Sequence, residues 1–442
     1  MKVIIIGAGE VGRKLAESIR RKGHDVIIVD KKESACEKAR ALDVKVVKGN
    51  GARPELLNSL DIKGSDYFFA ATNSNETNIV ACSIAKSAGC QTMARIRGLE
   101  YINREVSQRF KSIGVDKAVS PELLVARKVA DVITVPFAID RKISMGGKIN
   151  VTEFKVLANS RIKDKKIKNI GFPKNINLGA IIRDSEVIVP HGDDIVKEDD
   201  TIVVMTEGKK AERKILKLLG TKKSSVEKVM VIGASSIGIH IANKLCRRGV
   251  DVKLIEGSQS KARRAAEELK GVEVLVGDAR DKSVLIEEGI LRTDAVAVTT
   301  NSEEYNVLVS LLAKVYGVEK TVAIVKELGV KSLVETVGID LAASPQLQTA
   351  NTMLRMAREL NPLKAIPIHG GDLYLLEMSV DESSKVAGKT LEYSELPPEC
   401  IVGAIIRRGK TMIPKGDSEL KPGDQVLTFV LKDEISAVED CF

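Results

Sequence analysis

Along the first 120 residues, short apolar runs alternate with amphipathic stretches. The runs at 3–6, 26–29, 44–47 and 67–71 have the length and β-branched content of buried strands. Between them, stretches such as 11–22 and 76–88 place apolar residues at helical spacing. Strands alternating with helices predict a parallel sheet covered on both faces. The segment 121–136 reads as a helix that stops before Pro136. Beyond it the rhythm changes. Short strands at 150–157, 180–183, 187–189 and 201–205, separated by turn residues and closed by a helical stretch, predict a small α+β unit.

The whole pattern then recurs. Val3-Ile4-Ile5-Ile6-Gly7 returns as Val229-Met230-Val231-Ile232-Gly233, Gly49-Asn50 as Gly277-Asp278, and Thr72-Asn73 as Thr300-Asn301. Asn78 corresponds to Asn306, and Ser120-Pro121 to Ser344-Pro345, which opens a second helix over 345–360. In the smaller unit, Gly179-Ala180-Ile181-Ile182-Arg183 returns as Gly403-Ala404-Ile405-Ile406-Arg407. Pro190, Gly192, Asp193 and Asp200 return as Pro414, Gly416, Asp417 and Asp424, all at one offset of 224. A constant offset over so many positions is the mark of duplication, and the order is A-B-A′-B′.

Gly7-Ala8-Gly9-Glu10-Val11-Gly12 sits between a strand and a helix, and Asp30 ends the next strand. That context is what a dinucleotide-binding loop requires. Gly7 allows the tight turn, Gly9 lets backbone approach a phosphate, and Gly12 lets helix and strand pack closely. The helix N-terminus offers N–H groups to negative charge. Asp30 is suited to both ribose hydroxyls and repels a 2′-phosphate, which disfavours NADP. The second loop reads Gly233-Ala234-Ser235-Ser236-Ile237-Gly238, with Glu256 at the acidic position. Ser235 adds a hydroxymethyl group at the closest approach, so this site is expected to bind more weakly, to take another nucleotide, or to stand empty. Asn50 and Asp278 follow the third strand of each copy, where a side chain can face adenine or ribose. Thr72, Asn73, Thr300 and Asn301 follow the fourth, at the carboxyl edge where such sheets bind ligands. Arg95 and Arg97 lie on a fifth strand, within reach of phosphates; the second copy reads VAIVK there, without arginine. The fold class is therefore α/β: two Rossmann-like, doubly wound parallel-sheet lobes, each followed by a small α+β lobe. The expected borders are 1–136, 137–222, 223–362 and 363–442.

Composition narrows the function. Aromatic residues are 3% and Trp is absent, so the cores are aliphatic. No stretch offers 18 uncharged apolar residues, and MKVIIIGAGE reads as a strand and loop rather than a targeting signal. Six cysteines without CxxC spacing read as reduced thiols of a cytoplasmic protein, and four scattered histidines argue against a zinc site. The net charge of +9 comes from basic residues interspersed with acidic ones, which reads as a mixed-charge surface rather than a nucleic-acid footprint. No acid–base pair or nucleophile elbow accompanies the glycine loops, so the expectation is a non-enzyme: a sensor with no catalytic and no metal residues. Asp193, Asp200, Asp417 and Asp424 read as turn chemistry, with a cation site as the alternative. An NAD-dependent oxidoreductase and a structural oligomerisation protein with vestigial loops are the rival readings.

The loop Gly7–Gly12, Asp30, the stretch Ala71-Thr72-Asn73-Ser74-Asn75-Glu76-Thr77-Asn78, the strand Ala94-Arg95-Ile96-Arg97 and the duplicated Gly-Ala-Ile-Ile-Arg blocks together resemble the TrkA family. These are regulatory subunits of Trk-type potassium uptake systems, built from tandem RCK (or KTN) domains with an N-lobe and a C-lobe. The resemblance covers essentially the whole chain. It implies NAD (NAD⁺ or NADH) at the first N-lobe, with ATP or ADP as alternatives at either. It also implies a homo-oligomer, dimer or tetramer, forming a ring beneath a membrane potassium-conducting subunit at the cytoplasmic face. Carried over by motif, the first site is Gly7 to Val11, Asp30, Thr72, Asn73 and Arg95; the second is Gly233 to Ile237, Glu256, Thr300 and Asn301. Asn50 and Asn75, where many members have another residue, and Ser235 depart from the family pattern.

Overall fold

The apolar runs form strands whose successive side chains go to opposite faces. The computed structural model describes residues 1–98, 104–144, 149–184, 186–221, 226–326, 334, 336–357 and 365–442. The expected borders at 222 and 362, and helix residues 358–360, lie outside these. The first lobe contains β1 (Lys2–Ile6), β2 (Asp25–Asp30), β3 (Lys45–Lys48), β4 (Tyr67–Ala70), β5 (Gln91–Arg95) and β6 (Lys117–Val119). They form a parallel sheet in the order β3-β2-β1-β4-β5-β6. Val3, Ile5, Val26, Ile28 and Phe69 pack on one face with Leu15 and Ile19 of the helix Glu10–Arg20. Ile4, Ile6, Val29, Phe68 and Ala70 pack on the other with Ala81 and Ala85 of the helix Asn75–Ser87. Burial on both faces is why these strands read as unbroken apolar runs. The strand order reverses between β1 and β4, and their carboxyl ends open the crevice where ligands of such sheets bind.

The smaller lobe that follows contributes β7 (Ala138–Ser144), β8 (Ile149–Lys155), β9 (Lys165–Lys166), β10 (Ile176–Arg183), β11 (Glu186–Ile188), β12 (Ile195–Val196) and β13 (Thr201–Glu207). The second copy repeats the parallel sheet with β14 (Lys228–Ile232), β15 (Asp251–Glu256), β16 (Glu273–Val276), β17 (Ala295–Val298), β18 (Lys320–Ile324) and β19 (Leu341–Ala343), in the order β16-β15-β14-β17-β18-β19. The chain closes with β20 (Ile366–Ile368), β21 (Leu373–Ser379), β22 (Cys400–Arg407), β23 (Lys410–Met412) and β24 (Gln425–Leu431).

Two compact units result. One joins Met1–Ala130 to Glu227–Leu360 and so holds both parallel sheets. Within it, the helix Pro345–Met356 leaves the second sheet and packs Ala350 and Met353 into the core of the first, beside Leu15 and Ala16. Lys117 Nζ donates to the Met356 carbonyl at 2.6 Å. Arg248 donates from the second lobe to the Ala130 carbonyl, at 2.7 Å, on the helix Pro121–Ile133. That helix ends three residues before Pro136, because the residue preceding a proline avoids helical dihedrals. Among the described residues, no helix is long and apolar enough to cross a membrane.

The other unit joins Asp131–Val226 to Asn361–Phe442. Its antiparallel sheets run β11-β10-β13-β8-β7 and β20-β21-β24-β22-β23. In the first of these lobes β7, β9 and β12 lie outside the expected strands; β7 carries three charged residues in seven and shows no apolar run. One core serves both sheets: Val151, Ala180, Val203 and Met205 from the first, and Leu375, Ala404, Leu427 and Phe429 from the second. The recurrent glycine sits at a β-bulge in each copy. A Cβ on Gly179 would overlap the Phe429 ring, and one on Gly403 would come within 2.6 Å of Met205 Cε. The recurrent Arg and Asp also have a structural reason. Arg183 Nε and Nη2 grip Asp200 at 2.8 Å, and Arg407 grips Asp424 at 2.8 and 2.7 Å. Both carboxylates are almost fully buried and each accepts a further backbone N–H, from Lys197 and Lys421. Asp200 and Asp424 are thus arginine partners, and the cation alternative does not hold for them.

Candidate functional site

The carboxyl edge of each parallel sheet gathers the residues singled out in the sequence. In the first lobe, Gly7 has φ +103°, and a Cβ there would lie 3.0 Å from the Ala71 and Thr72 backbone. A Cβ on Gly12 would overlap the Gly7 carbonyl oxygen. These two glycines are demanded by the protein itself. Gly9 is not: its φ of −67° and ψ of −176° suit any residue, and nothing lies within 4 Å of the position its Cβ would take. Gly9 is also the N-cap of the helix Glu10–Arg20, and it brings no side chain to cap it. Serine or asparagine at this place would accept a hydrogen bond from the first turn. A glycine that neither turn geometry nor packing requires leaves room for a group outside the chain. Glu10 and Val11 follow it in that first turn.

Asp30 closes the loop from beside it. Its Oδ2 accepts the Ala8 N–H at 2.8 Å and its Oδ1 the Lys32 N–H at 2.9 Å. Each oxygen has capacity left for another donor. Asn50 Oδ1 accepts the Ala52 N–H at 3.0 Å and shapes the turn after β3. Thr72 proves to be a structural hydroxyl: it donates to Asn78 Oδ1 at 2.6 Å, and Thr72 N–H reaches the same oxygen at 3.0 Å. Asn78, fully buried, then donates to the carbonyls of Thr72 and Arg95 at 3.1 and 2.7 Å. It ties the ends of β4 and β5 together, and so positions Asn73 and Arg95. The only sequence signal for this role was its recurrence as Asn306. Asn73 is exposed and accepts Arg95 Nη1 at 2.9 Å. Arg95 Nε is buried without a hydrogen-bond partner. Burial, aided by neighbouring Arg97, pushes the guanidinium pKa down from its ordinary value. A cation with an unpaired buried donor at the carboxyl edge suits an anion.

The second lobe repeats the frame and changes the contents. Gly233 has φ +98°, and a Cβ on Gly238 would overlap the Gly233 carbonyl oxygen. Glu256 makes the contacts that Asp30 makes despite its extra methylene: Ala234 N–H to Oε2 at 2.7 Å and Ser258 N–H to Oε1 at 2.9 Å. Asn306 holds Thr300 and the Ile324 carbonyl as Asn78 holds Thr72 and the Arg95 carbonyl. Ser235, however, caps its own helix, accepting the Gly238 N–H at 3.2 Å. Ser236 and Ile237 form the first turn, and Asn301 is exposed after β17. Ile324 occupies the register of Arg95, so that cation is missing. Asp278 is not an open acceptor like Asn50. It receives Arg280 through Nε, Nη2 and backbone N–H, and the Tyr305 hydroxyl at 2.9 Å. Arg280 holds its carboxyl well below the usual carboxylate range, and burial together with the Asp278 contact pushes the Tyr305 phenol up to about 12.

The first lobe therefore fits a dinucleotide. It offers an unfilled approach at Gly9, an uncapped helix N-terminus, a carboxylate with spare acceptor capacity and an arginine whose buried Nε has no hydrogen-bond partner. The second lobe keeps the carboxylate and loses the other three.

Comparison with known proteins agrees with the duplicated layout. Residues 3–121 and 229–345 match the TrkA-N domain, and residues 151–220 and 375–442 match the TrkA-C domain. The Trk system potassium uptake protein TrkA homolog 1 of Methanosarcina mazei is 35% identical, with all of both chains covered. The Trk system potassium uptake protein TrkA of Vibrio alginolyticus is 30% identical, over all of this chain and 98% of that one. Among solved structures, the GsuK RCK domain aligns over 100% of this chain and 94% of its own, at TM-score 0.63 and 18% identity. The GsuK channel bound to NAD aligns over 100% of this chain and 78% of its own, at TM-score 0.62 and 18% identity. These structures share the fold. With four domain matches in A-B-A′-B′ order and full-length relatives at this identity, the chain belongs to the TrkA family.

Proposed function

We propose that this protein is a nucleotide-sensing regulatory subunit of a potassium transporter, with lobes at 1–136, 137–222, 223–362 and 363–442. The first N-lobe binds NAD⁺ or NADH, and the second binds an adenine nucleotide such as ADP or ATP. The chain acts as a homo-oligomer, a dimer or tetramer forming a ring, at the cytoplasmic face of the membrane against a Trk-type potassium-conducting subunit. The transport half of this reading is supported by full-length relatives named as potassium uptake proteins. The nucleotide half is carried by Gly9, a position the protein leaves empty for no internal reason.

Bound NAD supplies two phosphates and two riboses as handles. In this reading Asp30 accepts from the ribose hydroxyls, and the Gly9–Val11 helix terminus together with Arg95 meets the phosphates. The route outward starts at the same helix. Glu10–Arg20 opens at the binding loop and carries, on its buried face, the Leu15 and Ala16 that meet Ala350 and Met353. A ligand that draws on this helix acts on the contact between the two N-lobes. It shifts their arrangement only by its differential affinity for the two states, and a hundredfold difference corresponds to about 2.7 kcal/mol per site.

Calorimetry with NAD⁺, NADH, ADP, ATP and NADP⁺ tests the reading. NAD(H) should bind and NADP⁺ should bind at least tenfold more weakly. Asp30→Ala should weaken NAD binding about tenfold; unchanged affinity removes the ribose contact. Binding of none of the five ends the proposal.

A further inference from the structure

The second N-lobe has lost the features that suit a pyrophosphate, yet it has gained a cluster with no counterpart in the first. β15 ends at Glu256 and β16 at Val276, and the Gly277 N–H donates to the Glu256 carbonyl at 3.1 Å. Asp278 therefore stands one strand away from the ribose-type carboxylate, at the same edge. Its oxygens take Arg280 Nε at 3.1 Å each, Arg280 Nη2 at 2.6 Å, the Arg280 N–H at 2.9 Å and the Tyr305 hydroxyl at 2.9 Å. A carboxylate offers about four acceptor sites, so none remains for the amine of a base. What the cluster does present is the guanidinium itself. Asp278 grips one edge of Arg280, and the guanidinium carbon sits over the Tyr305 ring, 5.5 Å from its centroid. Tyr305 is fixed in turn, because its hydroxyl accepts the Ala279 N–H at 3.2 Å and its own N–H is capped by Ser302. The Arg280 side chain is nevertheless 59% exposed. A planar cation, seated on an aromatic ring with much of its surface open, is a stacking surface for a nucleobase. In the first lobe the equivalent positions hold Ala52 and Thr77.

We propose that Arg280, seated on Tyr305 and anchored by Asp278, is the adenine platform of the second N-lobe, and that this site takes an adenine nucleotide held chiefly by its base. The first site, by contrast, holds its ligand by phosphate and ribose. The inference rests on the reading that the second lobe binds an adenine nucleotide.

The test is calorimetry on the full chain carrying Asp30→Ala, with ADP, AMP, adenosine and inorganic pyrophosphate as probes. ADP, AMP and adenosine should bind within about tenfold of one another, with pyrophosphate far weaker. Adding Arg280→Ala should weaken all three adenine ligands about tenfold. Adding Arg280→Lys should do the same, because it keeps the charge and loses the plane. Retained affinity in Arg280→Lys, or a loss confined to ADP and AMP, overturns the platform and makes Arg280 a phosphate contact. Wild-type NAD binding with no adenine ligand bound in the Asp30→Ala chain overturns the platform together with the second-site reading, and leaves the first site standing. A gain-of-function arm transplants the whole cluster: Asn50→Asp with Ala52→Arg and Thr77→Tyr should raise adenosine affinity at the first lobe at least fivefold. No gain there counts against the platform.

Discussion

The two N-lobes share one frame, and of their three loop glycines only the middle one differs, a difference that separates what the fold needs from what a ligand needs. Gly7 and Gly12 recur as Gly233 and Gly238 because a Cβ at either place would press on backbone. Gly9 recurs as Ser235, which fits without strain and caps its helix. The middle glycine is thus dispensable to the protein, and where it persists it leaves its helix uncapped. A loop consensus mixes both kinds of constraint, and only the pair of copies pulls them apart.

The sharpest way to break this comparison is to place alanine at the outer glycines. Gly12→Ala and Gly238→Ala should each destabilise the protein by about 3 kcal/mol or more, read as a loss of folded yield or a large fall in Tm. If both variants fold with unchanged Tm, the structural reading of these positions is wrong. A smaller and more diagnostic effect belongs to the middle position. Gly9→Ser should lower NAD affinity at least tenfold while raising stability by about a few tenths of a kcal/mol through the new cap. Ser235→Gly should lower stability by a similar amount. An NAD affinity untouched by Gly9→Ser would show that the open space is not the ligand's. The smallest effect concerns pH. The Asp278 carboxyl is held below its unfolded value near about 3.9 by Arg280, so its stabilisation is full above that pH and is lost as pH falls through the folded value. Thermal melts should therefore show Asp278→Asn less stable than wild type at pH 7, with the gap starting to narrow below about pH 4 and narrowing further as pH falls. A gap that stays constant down to pH 3 would deny the Asp278–Arg280 link any role.

Much of this was legible in the sequence, for physical reasons that differ by residue. Strands buried on both faces leave unbroken apolar runs, so β1, β2 and β4 are visible without a structure. β7 has no such run and is not. The recurrence of Gly179, Arg183 and Asp200 at one offset marked them as important, but spacing carries no information on whether an aspartate meets a cation or an arginine. The loops and their acidic partners were legible because turn geometry and the strand–helix context are local. Glu256 looked like a divergence, yet side-chain flexibility absorbs the added methylene and its two backbone contacts survive. Asn78 and Asn306 were legible as repeats but not as the ties between strand ends, since their partners lie up to 18 residues away. Nor does an apolar helix face announce which sheet it will cover: Ala350 and Met353 serve the first sheet from the second copy's helix.

The shared core of the two smaller lobes has an evolutionary consequence. Phe429 and Met205 are equivalent positions, 224 residues apart, yet one is aromatic and the other a thioether, and both line the space beside Gly403. Two identical halves joined as separate chains must present the same residue from each side, so every change arrives twice. Fusion into one gene removes that obligation. A contact can then be completed by unlike partners, and one half can drift toward a new task while the other keeps the old. A half paired with itself would set Met205 against Met205, or Phe429 against Phe429, and would have to fill this space differently. The divergence of the second glycine loop is a freedom of the same kind, open to one half while the other keeps its loop.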